Sequence, residues 1–165
     1  MTFEEFLRVE LDGLGKYARL LCGDRQDAHD LAAETLIVAA RRWSTISRLE
    51  HPTAYVRRMI ANRRIDVARR RRILKWTAMP DDAQLPSASD GTRPLSQRLF
   101  LDDLLRPLPA RQRTAIVLRF YLDLSDEDIA WEMDVAVGTV RSFISRGLAV
   151  LRTATTAQDV RSYLQ

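Results

Sequence analysis

Apolar residues recur at intervals of three and four along most of this chain, and no stretch alternates strictly between apolar and polar residues. The first recurrence runs through Phe3, Phe6, Leu7, Leu11 and Leu14. This spacing places apolar side chains on one face of an α-helix, whereas a half-buried strand requires alternation. The pattern therefore predicts an all-α fold, in which helices bury their apolar faces against one another.

Capping signals divide the first block into three predicted helices. The capping candidates are Thr2 with Glu5, then Gly23, Asp24 and Pro52. Thr2 and Glu5 have capping-box spacing, and glycine commonly follows a helix C-terminus. Asp24 is a favourable N-cap, while proline is tolerated at a first helical position. We expect helices that end at Gly23, near Trp43 and near Trp76, with a loop over 44–50.

The periodicity fails from Met79 to Pro94, where prolines, a glycine, serines and acidic residues are concentrated. Such a composition is typical of a linker. The sequence thus predicts two small helical domains over residues 1–78 and 95–165, joined by an acidic linker over 79–94. Both domains would be smaller than an average globular domain.

The second block carries four further predicted helices. A leucine-rich helix over 95–105 is followed by one that Pro109 opens and that extends through Phe120. Ser125 is a candidate N-cap of a short helix that ends near Met133. The last helix is predicted from about Val137 to Arg152, followed by a short tail.

The third predicted helix is densely basic. Between residues 57 and 75 the only acid is Asp66, among nine basic residues: Arg57, Arg58, Arg63, Arg64, Arg69, Arg70, Arg71, Arg72 and Lys75. So many positive charges on one helix repel one another unless anions lie against them, and nucleic-acid phosphates are the usual anions. A solvated arginine-rich helix end and a membrane-surface helix are the alternatives. Tyr55, Trp43 and Trp76 flank the segment and are candidates for stacking on unpaired bases.

The last two predicted helices have the pattern of a helix-turn-helix, which places its second helix in the DNA major groove. The predicted shared core consists of Ile129, Ala130, Met133, Val135, Val140 and Ile144. The side chains expected to face outward are those of Thr139, Arg141, Ser142, Ser145 and Arg146. Arginine reads guanine edges and hydroxyl groups contact bases or phosphates. A generic helical hairpin with a polar exterior is the alternative.

Composition argues against several other classes. The net charge of +4 is a weak indication of polyanion partners. One cysteine, Cys22, cannot form an internal disulfide, and the two histidines have no cysteines at zinc-ligand spacing. No secretory signal and no membrane-length apolar run is visible, so we expect a cytoplasmic protein. We expect no metal, no cofactor and no enzymatic activity, since no cluster of carboxylates or activated nucleophile is apparent.

Four segments in this order resemble extracytoplasmic-function (group IV) sigma factors, in particular the short actinobacterial kind called the SigE family. The segments are GDRQDAHDLAAET at 23–35, YVRRMIANR at 55–63, LPARQR at 108–113 and VAVGTVRS at 135–142. The resemblance covers nearly the whole chain, with the gap between the two blocks in the expected place. It implies a sigma factor that binds core RNA polymerase, recognises promoter elements and assists DNA melting.

The resemblance also implies roles for particular residues. The second helix would dock on the clamp helices of the polymerase β′ subunit through Asp30, Leu31, Glu34 and Thr35. The third helix would recognise the −10 element and hold a flipped base, through Asn62 and the arginines Arg57, Arg58, Arg63 and Arg64. The second domain would read the −35 element through the outward residues of its last helix, and would contact the β flap. An anti-sigma factor is a candidate additional partner.

Several positions depart from the family pattern. Ala33 stands where the family usually has glutamine, and Ala40 where it often has tryptophan, which would alter the clamp contact. Phe143 stands where an arginine usually helps to read the −35 element. Trp131 replaces a residue that is usually small or polar, and it marks a candidate partner surface.

Three other functions compete with this interpretation. A stand-alone helix-turn-helix regulator would explain the second block but not a polymerase-docking helix followed by an arginine-dense one. A nucleic-acid-processing enzyme would need converging carboxylates or an activated nucleophile. A module that binds only an anti-sigma protein would bind no DNA in any state.

Overall fold

A computed structural model of the chain describes residues 1–77 and 101–163, and every regular element in these two ranges is helical. The predicted all-α fold is confirmed. The helices are α1 (Phe3–Cys22), α2 (Arg25–Arg41), α3 (Trp43–Ile46), α4 (Pro52–Thr77), α5 (101–105), α6 (Ala110–Phe120), α7 (Asp126–Met133) and α8 (Val137–Tyr163). The predicted linker over 79–94 and the start of the leucine-rich helix lie outside the described residues, so the domain boundaries remain predictions. No helix in the described ranges is long and apolar enough to span a membrane.

The predicted caps of the first block are present. The Thr2 amide donates to Glu5 Oε2 at 2.7 Å and the Glu5 amide donates to Thr2 Oγ1 at 3.2 Å, which completes the capping box. The Asp24 carboxylate accepts from the Asp27 amide at 2.8 Å and starts α2. These contacts satisfy amides that have no partner within the first turn of a helix. Pro52 is the first residue of α4, as expected.

Two predicted boundaries are wrong. The loop expected over 44–50 contains part of α3, because Trp43 and Ile46 are both buried and one helical turn brings both side chains to the core. The last helix continues to Tyr163 rather than ending near Arg152. No proline or glycine follows residue 147, so the sequence contains no signal that would stop α8 earlier.

The prediction that Trp43 stacks on bases is also wrong. Its ring is 9% exposed and lies 4.6 Å from the Phe6 ring and 5.3 Å from the Phe3 ring, centroid to centroid. Its indole N–H donates to the Met1 carbonyl at 3.1 Å. Burial of this aromatic group ties α3 to the start of α1. Tyr55 is half-buried and packs against the core.

The two helical blocks pack directly against each other. In the first block α1 contacts α2 and α4; in the second, α6 and α7 contact α8. Between the blocks, α4 contacts α6 and α7, and α1 contacts α6. The interface therefore places the helix-turn-helix beside the basic helix.

Arg113 of α6 fills a gap at the end of α1. Its side chain is 5% exposed, and its Nε donates to the Leu20 carbonyl at 2.6 Å. Burial lowers the pKa of Arg113 to about 10, so the guanidinium stays charged at neutral pH. A cation at this point interacts favourably with the exposed carbonyls and with the negative end of the α1 dipole.

We expect Gly23→Ala to lower the free energy of unfolding by about 1–2 kcal/mol. Gly23 adopts a φ of 73°, which penalises any Cβ, and a Cβ there would lie 3.1 Å from both terminal nitrogens of Arg113. Urea unfolding followed by circular dichroism measures the change, and Gly13→Ala is the matched control because a Cβ at Gly13 meets nothing within 4 Å. Equal midpoints for Gly23→Ala and the wild-type chain would contradict this reading of the cap.

Candidate nucleic-acid and polymerase interfaces

The arginines at the start of α4 contact α7. Arg57 donates to Glu132 through Nη2 at 2.6 Å and through Nε at 3.2 Å. Arg58 lies 3.1 Å from Asp134 Oδ1, and its guanidinium carbon is 4.9 Å from the centre of the Trp131 ring. Two of the four arginines predicted to bind −10 DNA are therefore occupied by side chains of the helix-turn-helix.

The next arginines of α4 face α2 across a groove of about 210 Å³. Arg63 pairs with Glu34, and Arg71 donates to both carboxylate oxygens of Asp27, at 2.8 and 3.1 Å. The bonds from Arg71 lower the pKa of Asp27. Arg64 Nε donates to the Leu21 carbonyl at 3.1 Å, at the end of α1. Acids of the first block thus neutralise part of the basic field that the sequence alone assigned to phosphates.

The predicted polymerase-docking residues divide into two sets. Asp30 and Glu34 are exposed on α2. Leu31 is 6% exposed and Thr35 is 2% exposed, and the Thr35 hydroxyl donates to the Leu31 carbonyl at 2.7 Å. The expectation that Leu31 and Thr35 contact the clamp is corrected, because both side chains lie in the core beneath that surface.

Asn62 is half-buried on α4, between the buried Ala61 and the exposed Arg63. This is the border between the core-facing and solvent-facing sides of the helix. Beyond it, Arg70, Arg72 and Lys75 are exposed. The far half of α4 therefore retains positive charge at the surface.

The helix-turn-helix has the expected local geometry. Ser125 caps α7 by accepting from the Asp128 amide at 3.1 Å. Asp134 takes a left-handed conformation at the turn, with a φ of 56°, and the Val135 amide donates to the Ala130 carbonyl at 3.0 Å. The shared core is buried at Ile129, Ala130, Met133 and Val140, with Val135 and Ile144 half-buried.

The side chains expected to read DNA lie on the outer part of α8. Arg141, Ser145 and Arg146 are exposed, while Thr139 and Ser142 are half-buried. The Arg141 Nε donates to Asp126 Oδ2 at 2.9 Å, and Asp126 also pairs with Arg119 of α6. This bridge holds one end of the Arg141 guanidinium and raises its pKa. Phe143 is half-buried and packs against the core, so it belongs to the domain interior rather than to the DNA-facing set.

Glu132 is a buried charged residue, paired with Arg57, that sequence reasoning missed. It is 2% exposed, and burial raises its pKa although Arg57 opposes that shift. Its burial could have been predicted from its position on α7, because it lies three residues after Ile129 and just before Met133, on the apolar face of the helix. A charged residue at such a position predicts a buried ion pair, but not its partner 75 residues away.

The described parts of the chain contain no group of three or more His, Cys, Asp or Glu side chains able to hold a metal ion. Cys22 is half-buried at the end of α1, and burial raises its pKa to about 11. A thiol with this pKa is almost entirely protonated at neutral pH and is a poor nucleophile. Cys22 therefore acts as a small hydrophobic residue at this position.

Comparison with known proteins identifies both blocks. Residues 8–73 match the family model of sigma-70 region 2, and residues 100–151 match that of sigma-70 region 4. The RNA polymerase sigma-E factor of Streptomyces avermitilis is 36% identical over 97% of this chain and 88% of its own length. The ECF RNA polymerase sigma factor SigE of Mycolicibacterium smegmatis is 32% identical over 92% of this chain and 60% of its own length.

Among solved structures, the sigma factor RpoE of Bartonella quintana, in complex with the anti-sigma factor NepR, superposes with a TM-score of 0.70. It is 25% identical, and the match covers 93% of this chain and 96% of that one. A stand-alone helix-turn-helix regulator is not favoured, because it would leave the region-2 match unexplained. The chain belongs to the sigma-70 family of RNA polymerase sigma factors, which direct transcription from promoters, and within it to the extracytoplasmic-function group.

Proposed function

We propose that this sigma factor divides promoter recognition between α4, which acts on the −10 element, and α8, which reads the −35 element as duplex. The observation that carries the proposal is the presence in one chain of an arginine-dense helix and a helix-turn-helix with an exposed polar face. The first suits backbone contact and strand separation, and the second suits base reading. Cytoplasmic action, where polymerase meets DNA, is part of the proposal.

On α8 the proposed reading set is Arg141, Arg146 and Ser145, with Thr139 and Ser142 at its edge. Their exposure on a helix that follows a tight turn fits insertion into the major groove. Asp126 fixes Arg141 through Nε and leaves its terminal nitrogens on an exposed side chain. A pre-positioned guanidinium loses less entropy when it binds a guanine edge.

On α4 the proposed −10 contacts are Asn62 for a flipped base and Arg57, Arg58, Arg63 and Arg64 for the backbone. All four arginines have partners within the chain, so binding DNA would exchange carboxylates and carbonyls for phosphates. Arg70, Arg72 and Lys75, at the exposed end of the helix, would give up the fewest contacts within the chain on binding DNA. They would make the first electrostatic contact with DNA.

On α2 the proposed polymerase contacts are Asp30 and Glu34, with Leu31 and Thr35 supporting them from the core. The β′ clamp helices and the β flap are the proposed polymerase elements. A protein of the anti-sigma class is proposed as a further partner, since the similar Bartonella sigma factor was crystallised with one.

We expect Asn62→Ala to impair promoter opening more than initial binding, because a flipped base must be held against an unstacking cost of a few kcal/mol. Holoenzyme formed with core polymerase would show about tenfold less permanganate reactivity at −10 thymines, with a nearly unchanged closed-complex footprint. A tenfold loss of reactivity corresponds to the loss of one side-chain hydrogen bond to the base. Asn62→Gln, which keeps the amide, should recover part of the opening. Equal losses in binding and opening would contradict the flipped-base role.

A further inference from the structure

Asp126, the first residue of α7, joins three helices of the second block. Its Oδ2 accepts from Arg141 Nε of α8 at 2.9 Å, and its Oδ1 pairs with Arg119 of α6. The Asp126 side chain is 16% exposed, so this bridge lies at the edge of the packed domain rather than free in solvent. Hydrogen bonds between a guanidinium and a carboxylate are among the stronger ones in proteins, so both contacts restrain the groups that they join.

The inner end of the bridge is anchored to the backbone. Arg119 Nη1 donates to the Leu124 carbonyl at 2.9 Å, in the turn that joins α6 to α7. Arg119 therefore holds Asp126 from inside the domain. Asp126 in turn holds Arg141, whose side chain is 67% exposed on the face proposed to read DNA.

The bond through Nε determines which donors of Arg141 remain for DNA. A guanidinium carries its N–H groups on Nε and on two terminal nitrogens. With Nε bonded to Asp126, the terminal nitrogens Nη1 and Nη2 are left to approach a base end-on. Such a pair of donors matches O6 and N7 of one guanine, the acceptors that arginine most often reads in the major groove.

Without the bridge, the exposed Arg141 side chain could swing to a phosphate as readily as to a base. Phosphate contacts hold a protein on DNA but carry no base information. The bridge limits how far the guanidinium moves towards the DNA backbone, and the carboxylate beside it repels phosphates. Asp126 should therefore increase discrimination between bases while it slightly lowers general affinity for DNA, and these two effects can be measured separately.

We propose that Asp126 is a positioning residue that sets base specificity at the −35 element: by holding Arg141 end-on, it makes guanine the base that is read at one position. The inference rests on the proposed function of α8 and deepens it. Both carboxylate oxygens of Asp126 are bonded within the chain, so Asp126 acts through Arg141 and not by its own contact with a base.

The test measures base preference across a library of promoter fragments with a randomised −35 region. Holoenzyme formed with core polymerase selects from the library, and the bound DNA is sequenced. The wild-type chain should prefer guanine at least about tenfold at one position, and Arg141→Ala should abolish that preference, which identifies the position. Asp126→Asn should lower the same preference about fivefold, because a released guanidinium also binds phosphates. Total binding of the library at low salt should be retained or should increase.

Glu127→Gln is the matched control. It removes the same charge from the same turn of α7, at an exposed position, and should keep the guanine preference. The pKa of Arg141 is raised mainly by its hydrogen bond to Asp126, and the charge of Glu127 is a minor cause. The control thus separates the hydrogen bond from the general effect of a nearby negative charge.

A double-mutant cycle separates positioning from support of the fold. When Arg141 is already alanine, Asp126→Asn should change no base preference, because its effect passes through the missing guanidinium. A residue that only supports the fold would alter preferences at the other −35 positions in both backgrounds. Circular dichroism checks the helix content of each variant. Asp126→Ser, which also removes the carboxylate, is the second variant and should give the same result.

A full guanine preference in the folded Asp126 variants would overturn the inference, as would an equal loss of preference at every −35 position. These results would leave the proposed function of α8 intact, provided that the wild-type holoenzyme enriches bases in the −35 region. A wild-type holoenzyme that enriches no base there would refute the proposed function of α8, and the inference with it.

Discussion

Replacing both Arg141 and Arg146 with alanine is expected to lower the affinity for −35 duplex on the order of 100-fold, while association with polymerase is retained. Both side chains are exposed on the outer face of α8, where a helix-turn-helix reads base edges. Each arginine that bonds two acceptors on guanine contributes roughly a tenfold or larger preference for its base. Phe143 cannot compensate, because it packs against the core.

The measurement is a footprint of the holoenzyme over the −35 region. Arg8→Ala with Arg48→Ala is the matched control: it removes the same charge from two exposed positions of the first block. The control should alter binding only slightly, through the general electrostatic term. An unchanged upstream footprint for the Arg141 and Arg146 variant would mean that another element reads the −35 sequence.

Replacing Ile129 with alanine is expected to lower the free energy of unfolding by about 3 kcal/mol, because the side chain is fully buried and the change leaves a cavity. Ile129 is a buried residue of α7, and α7 packs against α6 and α8.

Urea unfolding followed by circular dichroism measures this change. Ile37→Ala is the matched control, since the same substitution is made on α2 at a side chain that is 53% exposed. A change below about 0.5 kcal/mol is expected there. Similar values for the two variants would show that α7 does not share a core with its neighbours.

Local features of this fold could be predicted from the sequence because their causes are local. The Thr2–Glu5 capping box, the left-handed Gly23 and the Asp24 cap each depend on residues within four positions of one another. The α7 cap at Ser125 was predictable for the same reason. These features set the starts of α1, α2 and α7 and the end of α1, whereas the end of α8 at Tyr163 carries no local signal.

Contacts between distant residues could not be predicted in the same way. The partner of Glu132 is 75 positions away, and the carbonyl that Arg113 contacts is 93 positions away. Gly147 is a further case: a Cβ there would lie 3.0 Å from the Ile116 side chain, so the glycine permits close packing of α6 on α8. From the sequence it is only a mildly unfavourable residue inside a helix.

One site error was avoidable. Leu31 and Thr35 fall on the apolar face of α2 by the same periodicity that predicted the helix, which conflicts with a direct role in docking. The structure resolves the conflict in favour of the core. Asp30 and Glu34, whose side chains are exposed, remain the proposed polymerase contacts.

Transcription with purified components tests the function most directly. The wild-type chain is incubated with core polymerase, the mixture is separated by gel filtration, and the polymerase fraction is used for run-off transcription on genomic fragments. We expect the chain to co-migrate with core polymerase and to give transcripts with defined start sites that core polymerase alone does not make. A folded chain that elutes apart from core polymerase, and adds no defined transcript, would contradict its assignment as a sigma factor.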